Sequence, residues 1–347
     1  MASPFLLYGA TGFTGRLVAA RAVELGMQPV VAGRNAKAVE ALAQSLLLPH
    51  AVFALEDAAM MDAALEETGL VLNCAGPFSK TAMPMVEGCL RARRHYVDIT
   101  GEIDVFEKIF ERHNAATAAG ITLLPGAGFD VVPSDCLARH LKKRLPSATK
   151  LTLAFRANTK LSPGTARTLL ERMHEPGMVR RGGVLTPITA GSLVRDIDAG
   201  HGDRFPAMAI PWGDLATAWR STRIPDIETF AATTGATRFG LKLSRIPVMS
   251  SLLRAFIRFT STGPSASTRK TARALLWGEV SDAGGRHAAT RLETPEPYAL
   301  TVEASLAAVK KLLAGDAATG AQTPAMAFGS EFVMGIAGVK REDLGGV

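Results

Sequence analysis

Through the first 130 or so positions the chain alternates between two hydrophobic rhythms. Short, mostly apolar runs ("PFLLYG", "QPVVAGR", "HAVFAL", "LVLNCAGPF", "HYVDITGE") read as strands buried on both faces. Between them stand "RLVAARAVELG", "AKAVEALAQSLL", "DAAMMDAALEETG", "AMPMVEGCLRARR" and "IDVFEKIFERHNAATAAG", whose apolar positions recur at the helical period. "ITLLPGAGFD" adds a sixth strand that runs into a loop. Gly26 is placed to close the first helix as a C′ residue, and Asn35 to cap the second. Short strands each followed by a helix predict right-handed βαβ units, hence an α/β fold with a Rossmann-type doubly wound parallel sheet.

The rhythm then changes. After the helix "SDCLARHLKKRLP", the segments "KLTLAFRA" and "WRSTRI" alternate as half-exposed strands do, and "LLWGEVSDAGGRHAATRLET" reads as a hairpin turning at Asp282 to Gly285. "GTARTLLERM" and "VMSSLLRAFIRF" read as helices, "YALTVEASLAAVKKLLAG" as a long amphipathic helix, "TPAMAFGSEFVMGIAG" as a final helix and "KREDLGGV" as a frayed tail. The expected layout is a dinucleotide-binding domain over 1–135, a second α+β domain with an antiparallel sheet for substrate or dimerisation over 136–295, and C-terminal helices over 296–347 that return to the first domain.

The first strand ends in "YGATGFTG". Glycines after a strand and at the opening of a helix have the placement a dinucleotide cradle needs: Gly9 for a tight turn, Gly12 for backbone approach to a pyrophosphate, Gly15 for close helix–strand packing. Thr11 and Thr14 add hydroxyl donors, and Phe13 lies between them. After the second strand, where an NAD site carries an acid for the ribose hydroxyls, this chain has Arg34 followed by Asn35. A guanidinium suits a 2′-phosphate, so the expected cofactor is NADP in preference to NAD. "NCAGPF" places the small residues Cys74, Ala75, Gly76 and Pro77 at another carboxyl edge, with room for the nicotinamide ribose.

Composition narrows the function classes. At 347 residues, 47% hydrophobic and 20% charged, the chain reads as a globular protein of about two domains. Its net charge of +7 is spread out, with no basic block or aromatic–basic stripe, which argues against nucleic acid and suits an anionic cofactor or substrate. Three unpaired cysteines and no signal-like or membrane-spanning stretch point to the cytoplasm. No histidine or cysteine pair has metal-ligand spacing, so no metal is expected. The segment 241–263, apolar but carrying Lys242, Arg245, Arg254 and Arg258, has two readings: a helix covering the second sheet, or a basic helix against an anionic membrane or a lipid-like substrate. A homodimer remains open.

Hydride chemistry needs a proton donor or acceptor beside the cofactor. Asp98 and Glu102 in "YVDITGE" and Asp130 in "GFDVVPSD" are the candidates; each also has a structural reading, as a turn, helix-start or loop residue. A Tyr-x-x-x-Lys pair, the acid and orienting base of short-chain dehydrogenases, is absent: Gly12, Thr100 and Val302 stand four residues after Tyr8, Tyr96 and Tyr298.

In order, "YGATGFTGRLVA", "VVAGRN", "LVLNCAGPF", "YVDITGE" and "LLPGAGFDVVPSD" resemble the saccharopine dehydrogenase-like oxidoreductases, in the branch of the trans-acting enoyl reductases. "SPGTARTLLE", "GPSASTRKTARALLWGEV" and "GAQTPAMAFG" extend the resemblance over most of the chain. It implies a Rossmann domain, an inserted α+β domain bearing the substrate face, a C-terminal return helix, and hydride transfer to or from a small or lipid-like enoyl, keto or imine substrate. It does not fix the substrate, and no carboxylate-binding arginine cluster matches residue by residue. The rival readings are a non-catalytic NADP-binding sensor or scaffold and a peripheral lipid-associated protein.

Overall fold

The computed structural model describes residues 5–172, 175–235 and 261–346. The chain forms two compact units, Met1–Val132 with Tyr298–Gly329, and Pro133–Pro297 with Ser330–Val347.

The first unit runs β1 (Phe5–Tyr8), α1 (Phe13–Glu24), β2 (Val30–Gly33), α2 (Ala36–Leu46), β3 (His50–Val52), α3 (Ala58–Glu66), β4 (Leu70–Asn73), α4 (Phe78–Ala92), β5 (His95–Asp98), α5 (Ile103–Glu111), α6 (His113–Ala119) and β6 (Thr122–Leu124). The sheet is parallel, in the order β3-β2-β1-β4-β5-β6, with a short late strand, Gly320–Ala321, beyond β6. That is the doubly wound arrangement the alternating rhythms predict. Leu6, Leu7, Val31, Val71, Leu72, Val97 and Leu123 are buried, as a sheet covered on both faces requires. Helix α1 buries Gly15, Val18, Ala19 and Ala22, a stripe of small residues that lets its axis lie close to the sheet. Gly26 closes that helix at φ 71° while Met27 N–H bonds Ala22 O at 2.9 Å, and Asn35 Oδ1 accepts from Ala38 N–H at 3.1 Å.

The second unit begins with α7 (Val132–Arg144) and continues β7 (Lys150–Ala157), α8 (Pro163–Arg172), β8 (Gly177–Arg181), β9 (Val184–Ile188), β10 (Val194–Asp198), β11 (Arg204–Ala209), α9 (Asp214–Thr222), β12 (Asp226–Ala232), α10 (Ala266–Thr271), β13 (Arg273–Ser281) and β14 (His287–Pro295). The chain then gives the first unit α11 (Pro297–Leu313), β15 (Gly320–Ala321) and α12 (Pro324–Phe328), and ends in β16 (Lys340–Gly346). The second sheet runs β10-β11-β12-β7-β13-β14-β16, with β8 and β9 paired off β12. One face packs on α7: a Cβ at Gly278 of β13 would stand 2.7 Å from Leu141 Cδ1. On the other, Ala154, Phe230, Leu275 and Trp277 form a buried cluster with Ile197, Ala199, Phe205 and Ala207. The β10–β11 tip is tied across this face by Asp203 to Arg156 (2.9 and 2.7 Å) and by His201 to Glu342 of β16 (2.8 Å).

Several expectations are corrected. The second sheet is mixed: β7 and β12 are parallel, because the chain crosses over through α8, four strands and α9 before β12 is laid beside β7. "WRSTRI" lies mainly in α9, whose first turn and a half, Asp214 to Ala218, is buried together with Thr222, and the helix ends where Arg223 turns left-handed at φ 58°. The single helix expected over 103–120 breaks at Arg112, whose guanidinium is drawn to Glu87 of α4 at 2.8 Å. The final helix stops at Gly329, φ 84°, and resumes only as a 3₁₀ turn at Phe332–Gly335. The segment 296–347 does not return as one piece, since Ser330–Val347 groups with the second unit. There the supposed frayed tail is β16, paired antiparallel with β14. The basic segment 241–263 falls almost entirely outside the described residues. Among those described, no helix is long and apolar enough to cross a membrane.

Candidate functional site

Strand order reverses between β1 and β4, the place where open α/β sheets bind ligands beyond their carboxyl ends. Tyr8 pairs with Asn73, and Asn73 with Asp98, so β1, β4 and β5 end level with one another. Beyond Tyr8 the backbone turns at Gly9, φ 76°, with Gly9 N–H donating to Ala32 O at 3.0 Å. A Cβ at Gly9 would lie 2.6 Å from Ala75 N, so the turns after β1 and β4 touch through a glycine that nothing larger can replace. A Cβ at Gly15 would lie 2.3 Å from Gly9 O, which makes Gly15 the residue of close helix–loop packing.

Gly12 differs. A Cβ there would meet a single atom within 4 Å, Gly9 O at a tight 3.3 Å, and Gly12 is exposed, so the space beyond that contact is open. Gly12 is the N-cap of α1 and supplies no side-chain cap, and the first turn holds no acid. The N–H groups of a helix start, with the positive end of its dipole, thus face an open glycine surface. Those are the properties of a pyrophosphate cradle, and the chain's residues fit a dinucleotide here. Thr11 and Thr14 are half-buried beside it, and Arg16 Nε braces the loop by donating to Thr11 O at 2.9 Å. Phe13 is packed edge-on against Tyr298 of α11, with ring centroids 5.1 Å apart.

Arg34 is exposed one residue beyond β2 and makes no ion pair among the described residues, while its neighbour Asn35 is engaged in capping α2. The guanidinium is therefore available at the edge where ribose recognition takes place in this fold. After β4, Cys74 N–H donates to Tyr8 O at 2.8 Å, and desolvation pushes the Cys74 thiol up, so it stays protonated. Ala75 and Pro77 are half-buried and Gly76 is exposed, leaving a low rim.

The three carboxylates are placed very differently. Asp98 is fully buried. Its Oδ2 accepts from Tyr96 Oη at 2.8 Å, and its Oδ1 accepts from Thr100 N–H at 3.0 Å and Gly126 N–H at 2.8 Å. Burial outweighs these donors, and with the negative charge of Glu102 it raises the Asp98 pKa to about 6. Glu102 caps α4 from a neighbouring loop: its two oxygens accept from Phe78 N–H and Ser79 N–H, both at 2.9 Å. Both acids are thus used in positioning loops, which corrects the expectation that they face substrate. Asp130 is exposed, beside Gly101 of the β5–α5 loop, where an added Cβ would lie 2.9 Å from Asp130 Oδ2.

Sequence reasoning missed Asn73 and Tyr96 as site residues, and the individual contacts that α11 makes. The signal for the first two is a polar residue ending one apolar strand and a tyrosine two residues before the end of the next. The helix itself and its return to the first unit are expected from the sequence, but its partners carry no local signal. Thr301 Oγ1 accepts from Phe129 N–H at 3.0 Å, and Glu303 pairs with Arg21 at 2.7 Å, across 172 and 282 residues of sequence.

Residues 5–124 match the family model of the saccharopine dehydrogenase NADP binding domain. A trans-acting enoyl reductase of Mycobacterium leprae is 31% identical over 149 residues, covering 40% of this chain and 35% of that protein, so this match spans about a third of the relative's length. A putative trans-acting enoyl reductase of Mycobacterium tuberculosis is 24% identical over 328 residues, 76% of this chain and 77% of the other. The solved saccharopine dehydrogenase (L-Glu forming) of Saccharomyces cerevisiae superposes with TM-score 0.68 at 13% identity, over 99% of this chain and all of that one. The chain is saccharopine dehydrogenase-like by sequence over residues 5–124 and by fold along its length.

Proposed function

We propose that the chain is an NADP-preferring oxidoreductase that moves a hydride to or from a small or lipid-like enoyl, keto or imine substrate. The observation that carries this reading is the crevice between β1 and β4, where Gly12 leaves open space over an uncapped helix start. Gly9, Thr11, Gly12, Phe13, Thr14 and Gly15 would hold the pyrophosphate, Arg34 and Asn35 the adenosine ribose and its phosphate, and Cys74, Ala75, Gly76 and Pro77 the nicotinamide ribose. The bound nicotinamide supplies the hydride chemistry. The family model's NADP binding domain and the names of the enoyl reductase relatives support the cofactor and the reaction class.

The chain's own residues supply the surroundings. The α1 start and Arg34 would neutralise phosphate charge, and the touching turns after β1 and β4 would hold the backbone edge on which the dinucleotide lies. Asp130, the exposed carboxylate of the three, is the proposed group that exchanges a proton with substrate. The protonated Cys74 thiol is packing for the ring end, not a nucleophile.

Calorimetric titration with NADPH and NADH at fixed salt tests the cradle. Micromolar NADPH binding with much weaker NADH binding is expected. Gly12→Val should abolish it, because a branched side chain fills the space the pyrophosphate needs; retained affinity would sink the assignment. Binding of NADPH without its consumption by any enoyl, keto or imine acceptor would favour the sensor reading, in keeping with Asp98 and Glu102 being engaged in structure.

A further inference from the structure

A continuous chain of hydrogen bonds runs beneath the site. Ala75 N–H donates to Asn73 Oδ1 at 3.0 Å, Asn73 Nδ2 donates to Tyr96 Oη at 3.3 Å, and Tyr96 Oη donates to Asp98 Oδ2 at 2.8 Å. Asp98 Oδ1 is held by Gly126 N–H and Thr100 N–H, and Asp98 O accepts from Ala127 N–H at 2.7 Å. The chain joins the turns after β4, β5 and β6, and its members Asn73, Tyr96 and Asp98 are fully buried, so water cannot substitute for a lost partner.

Every bond in it points one way, and the direction is set by Asp98. An ionised carboxylate only accepts. Tyr96 must therefore donate to it, which leaves the phenol oxygen to accept from the Asn73 amide NH₂. The Asn73 carbonyl oxygen then faces Ala75 N–H. If Asp98 takes up a proton on Oδ2, that oxygen becomes a donor to Tyr96. The buried tyrosine O–H, displaced from Asp98, then finds an acceptor only if it turns to Asn73 and the amide turns over to receive it, which brings the amide NH₂ against the Ala75 N–H, donor against donor.

We infer that Asp98 is a positioning residue: its negative charge sets the polarity of the Asp98–Tyr96–Asn73 chain, and so holds the 74–77 turn in the shape that receives the ring end of the dinucleotide. Its protonation reverses the chain and releases that turn, so dinucleotide affinity falls on acidification. The titratable groups around the chain are consistent with this. Cys74 from the β4 turn and Cys89 from α4 are both held neutral by burial, and Glu102 from the α5 start adds negative charge that favours protonation of Asp98. Among the described residues no cation is paired with Asp98.

This inference rests on the dinucleotide reading, and its test separates the two. The dissociation constant of NADP⁺ is measured between pH 8 and pH 5 for the wild type and for Asp98→Asn. The ligand's own 2′-phosphate titrates near pH 6 as phosphate monoesters do, so the comparison with the variant isolates the protein's part. With Asp98 titrating at about 6, roughly one molecule in eleven is ionised at pH 5, and the wild type should lose about tenfold more affinity than the variant over that range. Asp98→Asn places an NH₂ donor against Tyr96 at every pH, so at pH 8 it should already bind about tenfold or more weakly. Parallel pH profiles, or wild-type affinity of the variant at pH 8, would overturn the inference.

Should Asp98→Asn not fold, Tyr96→Phe breaks the chain at its centre and should likewise remove the excess pH dependence. Should the wild type bind no NADP⁺ at any pH, the functional reading fails and the chain is judged on the unliganded protein alone. There, hydrogen exchange at the Ala75 amide, corrected for its intrinsic pH dependence, should lose protection between pH 8 and pH 5. Constant protection would overturn the chain whatever the ligand result.

Discussion

In the first sheet the polar residues stand at strand ends; in the second they stand mid-strand. Tyr8, Asn73 and Asp98 are the last residues of β1, β4 and β5; what precedes them in β1 and β4 is apolar, and within β5 the Tyr96 hydroxyl bonds the carboxylate at the strand's end. In the second sheet Glu228, Thr152 and Glu279 lie in register across β12, β7 and β13, within the strands. Arg181 and Arg195 reach Glu228, the latter at 2.8 Å, and these residues line a cavity of about 390 Å³. A parallel sheet covered on both faces has no interior place for a charge, so its polar groups gather where the strands stop. A sheet with helices on one face and a hairpin tip over the other tolerates charge mid-strand when a partner neutralises it. The consequence is that the first unit's chemistry lies at its edge, where backbone and glycine shape it, whereas the second unit's lies on its face, where side-chain pairs shape it.

Substitutions should separate the two regimes. The largest effect is expected from Gly15→Val, whose Cβ would stand 2.3 Å from a carbonyl oxygen. It should cost at least about 3 kcal/mol, read as a lowered first-unit transition in calorimetry, and abolish dinucleotide binding. Arg34→Asp should leave unfolding unchanged and move preference from NADPH toward NADH by about 1–3 kcal/mol; an unchanged ratio would assign Arg34 to the surface alone.

A third, smaller effect concerns pH. The folded-state pKa of Asp98 is raised from 3.8 to about 6, so its contribution to stability is fully present below the unfolded value and is lost as pH rises through about 6. From pH 7.5 to pH 5 the wild type should therefore gain about 1 kcal/mol relative to Asp98→Asn in urea titrations. The proton that steadies the fold is the one that releases the 74–77 turn. The smallest effect belongs to the second unit. Arg156→Ala removes a half-exposed bidentate pair with Asp203 and a stacking contact on Phe205, and should cost about 0.5–1 kcal/mol with dinucleotide affinity unchanged. A large loss of affinity there would break the contrast drawn between the units.

Much of the first unit could be read residue by residue. Gly9, Gly12 and Gly15 announce themselves because a turn and a close approach depend on a few successive residues, and the structure shows the tight turn at Gly9 and the close packing at Gly15. Asn35 and Gly26 likewise end helices by local bonds. The three carboxylates could be named but not ranked, since a letter does not say whether an acid is buried. Glu102 and the helix it caps are 23 or more residues apart, and Tyr96 and Asn73 are likewise 23 apart.

The sequence by itself determined the order of the βαβ units, the glycine-lined start of α1 and the presence of Arg34 where an acid would otherwise stand. These follow from short-range periodicity and sterics, which any chain of these residues carries with it. Only the tertiary structure decided that Asp98 would be buried and Asp130 exposed, that Tyr96 would join Asn73 to Asp98, that α11 would meet Phe13 and Phe129, and that β12 would run parallel to β7. Those outcomes depend on strand register and on contacts between distant segments, and no local pattern encodes which polar group meets which until the sheets are assembled.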